Sequence, residues 1–331
     1  MLESRQSRRE WLGQMGRAGA AAACALPCAA AAPKPDAGAA NVPFIDIHTH
    51  LGAFYPGREL TAERLVQFMD QHNVERSCVL PLISPEAAPV PQPTSTAIAA
   101  YRKFPDRIIP FCAVDGRAAT MPSQRTGHVR GVKGLIEILK RYQDAGCKGL
   151  GEHKTGMHFD STQNMFLYEA SAEVGFPVLF HLDDIRNIDT PGLPRLERAL
   201  KAFPNLPFIG HAAGFWASIS GDAAPADFGR YPEVPTPVAP GGALDRLLKQ
   251  CPNLYCDLSE PGGYKAIARD REFRRQFIIR NADRMLFGTD VLMPGQHIPH
   301  FELYESLQLP AEVRHKVYRG NAIKLLDLAG R

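Results

Sequence analysis

Phe44-Ile45-Asp46-Ile47-His48-Thr49-His50-Leu51-Gly52, FIDIHTHLG, is an apolar run that ends in two histidines one residue apart. Its length and composition read as a buried strand. Side chains alternate along a strand, so His48 and His50 point the same way. Two imidazoles on one face at the carboxyl end of a strand raise the question of what they hold. An isolated H-x-H says little alone, and its weight depends on the strands that follow.

From residue 44 onward, short apolar runs alternate with amphipathic stretches of helical length. The runs are Phe44–His48, Cys78–Leu82, Ile108–Val114, Cys147–Glu152, Val178–His181, Phe208–His211, Leu254–Leu258 and Met285–Gly288. The helical stretches include Thr61–His72, Leu135–Ala145, Met165–Val174, Leu196–Phe203, Leu244–Gln250 and Phe273–Asn281, with Ala311–Leu328 closing the chain. Eight buried strands, most followed by a helix, predict an α/β protein of the (β/α)8 barrel type. An open doubly wound sheet fits less well, because no glycine-rich phosphate loop follows the first strand. No internal repeat or interdomain linker interrupts the pattern. Proline-rich loops follow the second strand (Ser84–Pro93) and the sixth (Ala217–Gly241). Both belong at the carboxyl end of a barrel, where substrate loops gather.

The strand ends carry the chemistry. KGLGEHK places Glu152 at the end of the fourth strand, GFPVLFHLDD places His181 at the fifth, LPFIGHAAG places His211 at the sixth and RMLFGTD places Asp290 at the eighth. In a barrel these ends converge on one mouth. Buried polar groups need partners. Four histidines and two carboxylates together suit Zn²⁺ or a similar divalent ion.

The bulk properties agree with a folded enzyme-sized domain. The chain has 331 residues, 45% of them hydrophobic, enough for one large core. A net charge of +3 with 22% charged residues gives no nucleic-acid footprint, so no nucleic-acid partner is expected. Residues 1–32 are set apart. Ser7-Arg8-Arg9-Glu10-Trp11-Leu12 resembles a twin-arginine export signal, and alanines before Pro33 offer small-residue cleavage sites. The apolar part is shorter than the ~20 residues of a membrane span, so no transmembrane span is expected. The expected location is periplasmic or extracellular. Cys24 and Cys28 fall in this leader. Cys78, Cys112, Cys147, Cys251 and Cys256 fall in or beside apolar runs without a C-x-x-C spacing, and read as buried free thiols.

FIDIHTHLG, KGLGEHK, GFPVLFHLD, FIGHAAGFW, NLYCDLS, LFGTD and the terminal GNAIKLLDL together resemble the amidohydrolase superfamily. The similarity is to its amidohydrolase-related branch, which also holds non-oxidative decarboxylases. It covers most of a single domain, residues 43–330. The resemblance implies a distorted (β/α)8 barrel with one or two divalent metals at its mouth. It implies His48, His50 and His181 as metal ligands. Asp290 would be a ligand that also takes a proton from metal-activated water. His211 would be a ligand to a second metal or a neutral acid/base. Glu152 matches a bridging carboxylate position, and Lys154 stands near it.

The reading placed first is a metal-dependent hydrolase of an amide, ester or lactone. The alternative is a non-oxidative decarboxylase of an aromatic or enoic acid, and the second alternative is an inactive metal- or ligand-binding barrel. Zn²⁺ is the expected ion, with Mn²⁺, Fe²⁺ or Co²⁺ chemically compatible. The substrate is expected to be a small molecule. His153, Lys148 and Lys154 could meet an anionic one, set against a plainer reading as solvated loop residues. Asp183 and Asp184 are placed to hydrogen-bond a ligand histidine. Asp257 and Glu260 are placed near the mouth without a role. A homodimer is the commonest closed assembly.

Overall fold

In a computed structural model, residues 42–119 and 131–329 are described. The leader, with Cys24 and Cys28, lies outside them. The chain runs β1 (Phe44–Thr49), α1 (Ala62–Gln71), β2 (Val74–Val79), α2 (Thr94–Lys103), β3 (Ile108–Pro110), α3 (Val132–Asp144) and β4 (Leu150–His153). It continues through α4 (Thr162–Val174), β5 (Val178–His181), α5 (Pro194–Ala202), β6 (Phe208–His211), α6 (Ala213–Ala217), α7 (Ala243–Gln250), β7 (Leu254–Asp257), α8 (Glu260–Ala268) and α9 (Arg271–Arg280). It ends with β8 (Met285–Leu286), α10 (His300–Ser306), α11 (Ala311–His315) and α12 (Asn321–Leu325).

All strand pairs are parallel. β1–β2–β3 form one continuous ladder and β4 through β8 another. Parallel bridges join them at Cys112 with Leu150 and at Thr49 with Val291, with backbone hydrogen bonds across both seams. The closed result is the (β/α)8 barrel expected from the alternation of runs.

The helices form for local reasons. Thr61 caps α1 by accepting from the Arg64 N–H, and α1 then buries Leu65 and Met69. Ser161 caps α4 in the same way, and Gly175 ends that helix at φ 78°, a left-handed turn suited to glycine. In α7, Leu244, Leu247 and Leu248 face inward, the i, i+3, i+4 stripe of a helix on a barrel wall. Two large apolar clusters result, beside a small one of Leu82, Ala87 and Ala88. Ile45, Ile47, Cys78, Leu80, Ile109, Phe111, Leu179, Ile209 and Leu286 pack with Ala322, Leu326 and Leu328 from the chain's last turns. The larger cluster, between strands and helices, includes Phe44, Val79, Val178, Phe180, Phe208 and Phe287.

Some boundaries differ from expectation. β2 starts at Val74 rather than Cys78, because the polar Glu75 and Arg76 belong to the strand at its half-buried entry. β3 is only three residues long, and β4 begins at Leu150 rather than Cys147. The expected closing helix divides into α11, a π-turn over Lys316–Gly320, and α12. The five cysteines from Cys78 to Cys256 are buried and free, as expected. Among the described residues, no helix is long and apolar enough to cross a membrane.

Candidate metal centre

Strict alternation does not by itself bring His48 and His50 to the mouth. Ile45 and Ile47 belong to the inner cluster, so the even-numbered residues of a regular β1 would face the helices. The β1–β2 register breaks between Asp46 and Thr49, where the His48 N–H donates to Asp46 Oδ1 at 3.1 Å. That irregularity re-aims both imidazoles. β4 also breaks register, between Leu150 and His153, the stretch that holds Glu152. Such breaks in strand pairing recur beside active sites, where they turn a side chain.

His48, His50, Glu152, His181, His211 and Asp290 all converge. His48 Nε2 and His50 Nε2 are 3.1 Å apart. His48 Nε2 lies 3.8 Å from Glu152 Oε2 and 3.6 Å from Asp290 Oδ1, and His50 Nε2 lies 3.4 and 3.3 Å from the same two oxygens. His181 Nδ1 is 2.8 Å from Glu152 Oε1, and His211 Nε2 is 3.8 Å from that oxygen. Three overlapping groups have the spacing to hold a metal ion: His48, His50 and Glu152; His48, His211 and Asp290; Glu152, His181 and His211.

The donor set fits a cation for a specific reason. His50 Nδ1 faces the Leu80 carbonyl oxygen at 2.8 Å, and that oxygen only accepts. His48 Nδ1 likewise faces the Asp257 carboxylate at 2.6 Å. In the neutral rings each Nδ1 therefore donates its N–H, and each Nε2 presents a lone pair. Those lone pairs face each other and two carboxylate oxygens. Glu152 Oε2 and Asp290 Oδ1 are buried without a hydrogen-bond partner. Either protons or a metal ion must satisfy such a cluster. Burial lowers the His48 pKa, but the Asp257 and Asp290 carboxylates override it and hold the ring well above the ordinary imidazole value. Burial raises Glu152, but Lys154, His181, His48 and His50 pull it well below the usual carboxylate range.

Behind these groups stands Asp257, fully buried at the end of β7. Its carboxylate also lies 3.1 Å from His211 Nδ1 and accepts from Ser259 Oγ at 2.9 Å. It orients two of the histidines, a role its sequence position alone did not reveal. Asp183 takes the place expected for it, 2.8 Å from His181 Nε2, and is itself bound by Arg186 Nη1 at 2.7 Å. Three non-glycine residues at the site hold left-handed backbone: Ala212 (φ 82°), Glu260 (φ 64°) and Asp290 (φ 56°). Residues in such sparsely populated conformations cluster at functional sites.

A cavity of about 970 Å³ opens over the centre. His50, His181 and Asp290 form part of its lining, with Lys154, Arg186, Arg230, Phe54 and Tyr55 among its walls. Lys154 Nζ is 3.3 Å from Glu152 Oε1. The other two proposed anion contacts are not there. His153 is buried, bonds Asn164 Oδ1 at 3.1 Å, and is pushed down to about 4 by burial. Lys148 donates to the Asp327 carbonyl beside the chain's last turns. Lys148 is thus a partly exposed loop residue away from the mouth, in line with the plainer reading, whereas His153 is buried in β4.

Comparison with known proteins adds three findings. A family model described as an amidohydrolase matches residues 45–328. No curated protein matches the chain. Solved structures of similar shape include an uncharacterised TIM-barrel protein from Bordetella bronchiseptica, 18% identical, covering 87% of this chain and 100% of that one at TM-score 0.59. A 5-carboxyvanillate decarboxylase from Novosphingobium aromaticivorans, complexed with manganese and 4-hydroxy-3-methoxy-5-nitrobenzoic acid, is 16% identical, with 87% and 96% coverage and TM-score 0.55. A probable 2-pyrone-4,6-dicarboxylic acid hydrolase from Acinetobacter baumannii, with citric acid bound, is 13% identical, with 86% and 99% coverage and TM-score 0.55.

Proposed function

The chain belongs to the amidohydrolase family, and from that premise we propose that it is a metal-dependent decarboxylase of a small aromatic or enoic acid. The observation that carries this reading is the make-up of the cavity. Lys154, Arg186 and Arg230 supply cationic groups for a carboxylate, while Phe54 and Tyr55 offer flat apolar walls beside His50, His181 and Asp290. The decarboxylase among the similar folds supports it. Hydrolysis, the reading placed first from sequence, becomes the second reading. Its support is Asp290, whose buried Oδ1 has no partner and could take a proton from water.

The three overlapping groups drawn from His48, His50, Glu152, His181, His211 and Asp290 would hold one or two ions. When bound, a divalent ion supplies Lewis-acid stabilisation of developing negative charge. The protein's own groups do the rest. Lys154 and Arg186 bind and orient the substrate carboxylate. Asp257 fixes the His48 and His211 rings through their Nδ1 atoms. Asp290, with a side chain 14% exposed, is the carboxylate placed to pass a proton between the cluster and the cavity. In decarboxylation that proton replaces the departing carboxylate on carbon. Zn²⁺ and Mn²⁺ both suit the mixed imidazole and carboxylate donors.

The test is a panel of aromatic carboxylates and lactones, given to protein loaded with Zn²⁺ or Mn²⁺. Carbon dioxide release, lost in a His48→Ala/His50→Ala variant, is the expected result. Acid release without carbon dioxide selects hydrolysis, and no turnover across the panel overturns both. We also propose that residues 1–32 direct export, which the Arg8-Arg9 pair supports. Replacing both arginines with lysine should retain the protein in the cytoplasmic fraction.

A further inference from the structure

The long loop between α6 and α7 reaches back over the cavity and places Tyr231 on its wall. Tyr231 is 37% exposed, yet its hydroxyl donates to Glu260 Oε1 in a close contact. Glu260 is only 8% exposed and lines the same cavity. Its second oxygen, Oε2, is buried without a hydrogen-bond partner and lies 3.9 Å from His211 Nε2. That separation is too long for a hydrogen bond.

Glu260 is also firmly placed. It opens α8 in a left-handed conformation, and its carbonyl accepts from His300 Nε2 at 3.1 Å. Gly262 leaves the room: a Cβ there would come within 2.9 Å of Glu260 Oε2. A buried carboxylate with an unfilled oxygen is an expensive arrangement unless a donor completes it. Lys154, Arg186 and Arg230 offer donors to a carboxylate, whereas Glu260 can only accept in its ionised form.

We propose that Glu260 is the specificity-determining acceptor of this cavity, binding a hydroxyl or amine donor on the substrate at Oε1, the oxygen that the Tyr231 hydroxyl occupies in the free protein. This rests on the reading of a carboxylate substrate given above. The substrate class narrows to acids that carry an O–H or N–H donor besides the carboxylate. Tyr231 comes from a surface loop, so its phenol is the displaceable partner and Glu260 the fixed one.

The experiment measures binding, not turnover. Calorimetry on the metal-loaded full chain compares the three hydroxybenzoate isomers with their methoxybenzoate counterparts and with benzoate. Wild type should bind its best hydroxy isomer about tenfold tighter than the matching methoxy compound, the order expected for a hydrogen bond to a charged group. In Glu260→Gln, which keeps only a neutral acceptor, that ratio should fall to about threefold or less. In Tyr231→Phe, which leaves Glu260 intact, the hydroxy isomer should bind tighter than in wild type. A wild-type ratio near one, or one that survives in Glu260→Gln, overturns the acceptor role while leaving the carboxylate reading standing. Binding of no probe at all, benzoate included, overturns the carboxylate reading and this inference with it.

Discussion

Asp257 accepts from His48 Nδ1 at 2.6 Å and from the Ser259 N–H at 2.9 Å, and lies 3.1 Å from His211 Nδ1. Burial alone would raise its pKa, but His48 and His211 hold it well below the ordinary value, so it stays a carboxylate. Groups that orient metal-binding imidazoles typically contribute a factor of about 10–100 in metal affinity. Asp257→Ala should therefore weaken Zn²⁺ or Mn²⁺ binding by about that factor. A chelator-competition titration reads this directly, and unchanged affinity would remove the orienting role. The six residues singled out in the sequence were legible because each polar side chain ends an otherwise apolar strand. Asp257 carries the same signature on the seventh, and nothing in sequence separates an orienting carboxylate from a ligand. Glu260 was harder still. Its importance depends on a left-handed backbone and on Tyr231, 29 residues away in sequence. His153 was misread because it shares the end of β4 with Glu152, and only the local register sends one inward and the other against Asn164.

At the scale of the element, the barrel was legible and its irregularities were not. Strict alternation along FIDIHT would have sent Ile47 and His48 to opposite faces, and the break after Asp46 is what lets both count as interior. A bulge leaves no mark in a hydrophobic period. β6 shows how tightly an element constrains its histidine. The Gly210 position lies directly under the Phe215 ring, so an added methyl would collide with it. Overpacking of this kind typically costs about 1–3 kcal/mol. Gly210→Ala should lower stability by that order and disturb His211, seen as reduced metal affinity alongside a lower urea midpoint. At α9, Asp270 caps the helix by accepting from the Glu272 and Phe273 N–H groups. Burial raises its pKa, but the Phe273, Val238 and Glu272 N–H groups together outweigh it and leave the carboxyl below its ordinary value. A depressed folded pKa stabilises above the unfolded value of about 3.9 and is lost as pH falls through the folded value. Asp270→Ala should cost about 1 kcal/mol at neutral pH, and the gap between variant and wild type should shrink below about pH 4. A gap that stays constant with pH would contradict a charged cap.

The molecule as a whole is a barrel made of two ladders that meet along two seams. One joins β3 to β4 through Cys112 and Leu150, the other joins β8 to β1 through Thr49 and Val291. At the second seam Asp46 accepts from Thr289 Oγ1 at 2.6 Å and from the Thr289 N–H at 3.0 Å, and the Asp290 N–H donates to the His48 carbonyl at 2.8 Å. His48 belongs to the three-stranded ladder, and His50 follows directly on its first strand. Glu152, His181 and His211 belong to the five-stranded ladder, and Asp290 follows its last strand. An ion held by both sets would therefore tie the two ladders together at the mouth. A ligand that binds only the folded state adds stability of about 2.7 kcal/mol at a free concentration 100 times its Kd. Chelation should then lower the melting temperature of wild type and speed amide exchange in β1, β4 and the segment after β8 more than in β5 and β6. In His48→Ala/His50→Ala, chelator should change neither quantity. Equal melting temperatures for wild type with and without chelator, in protein shown by elemental analysis to carry metal beforehand, would mean that the barrel closes without help from the site.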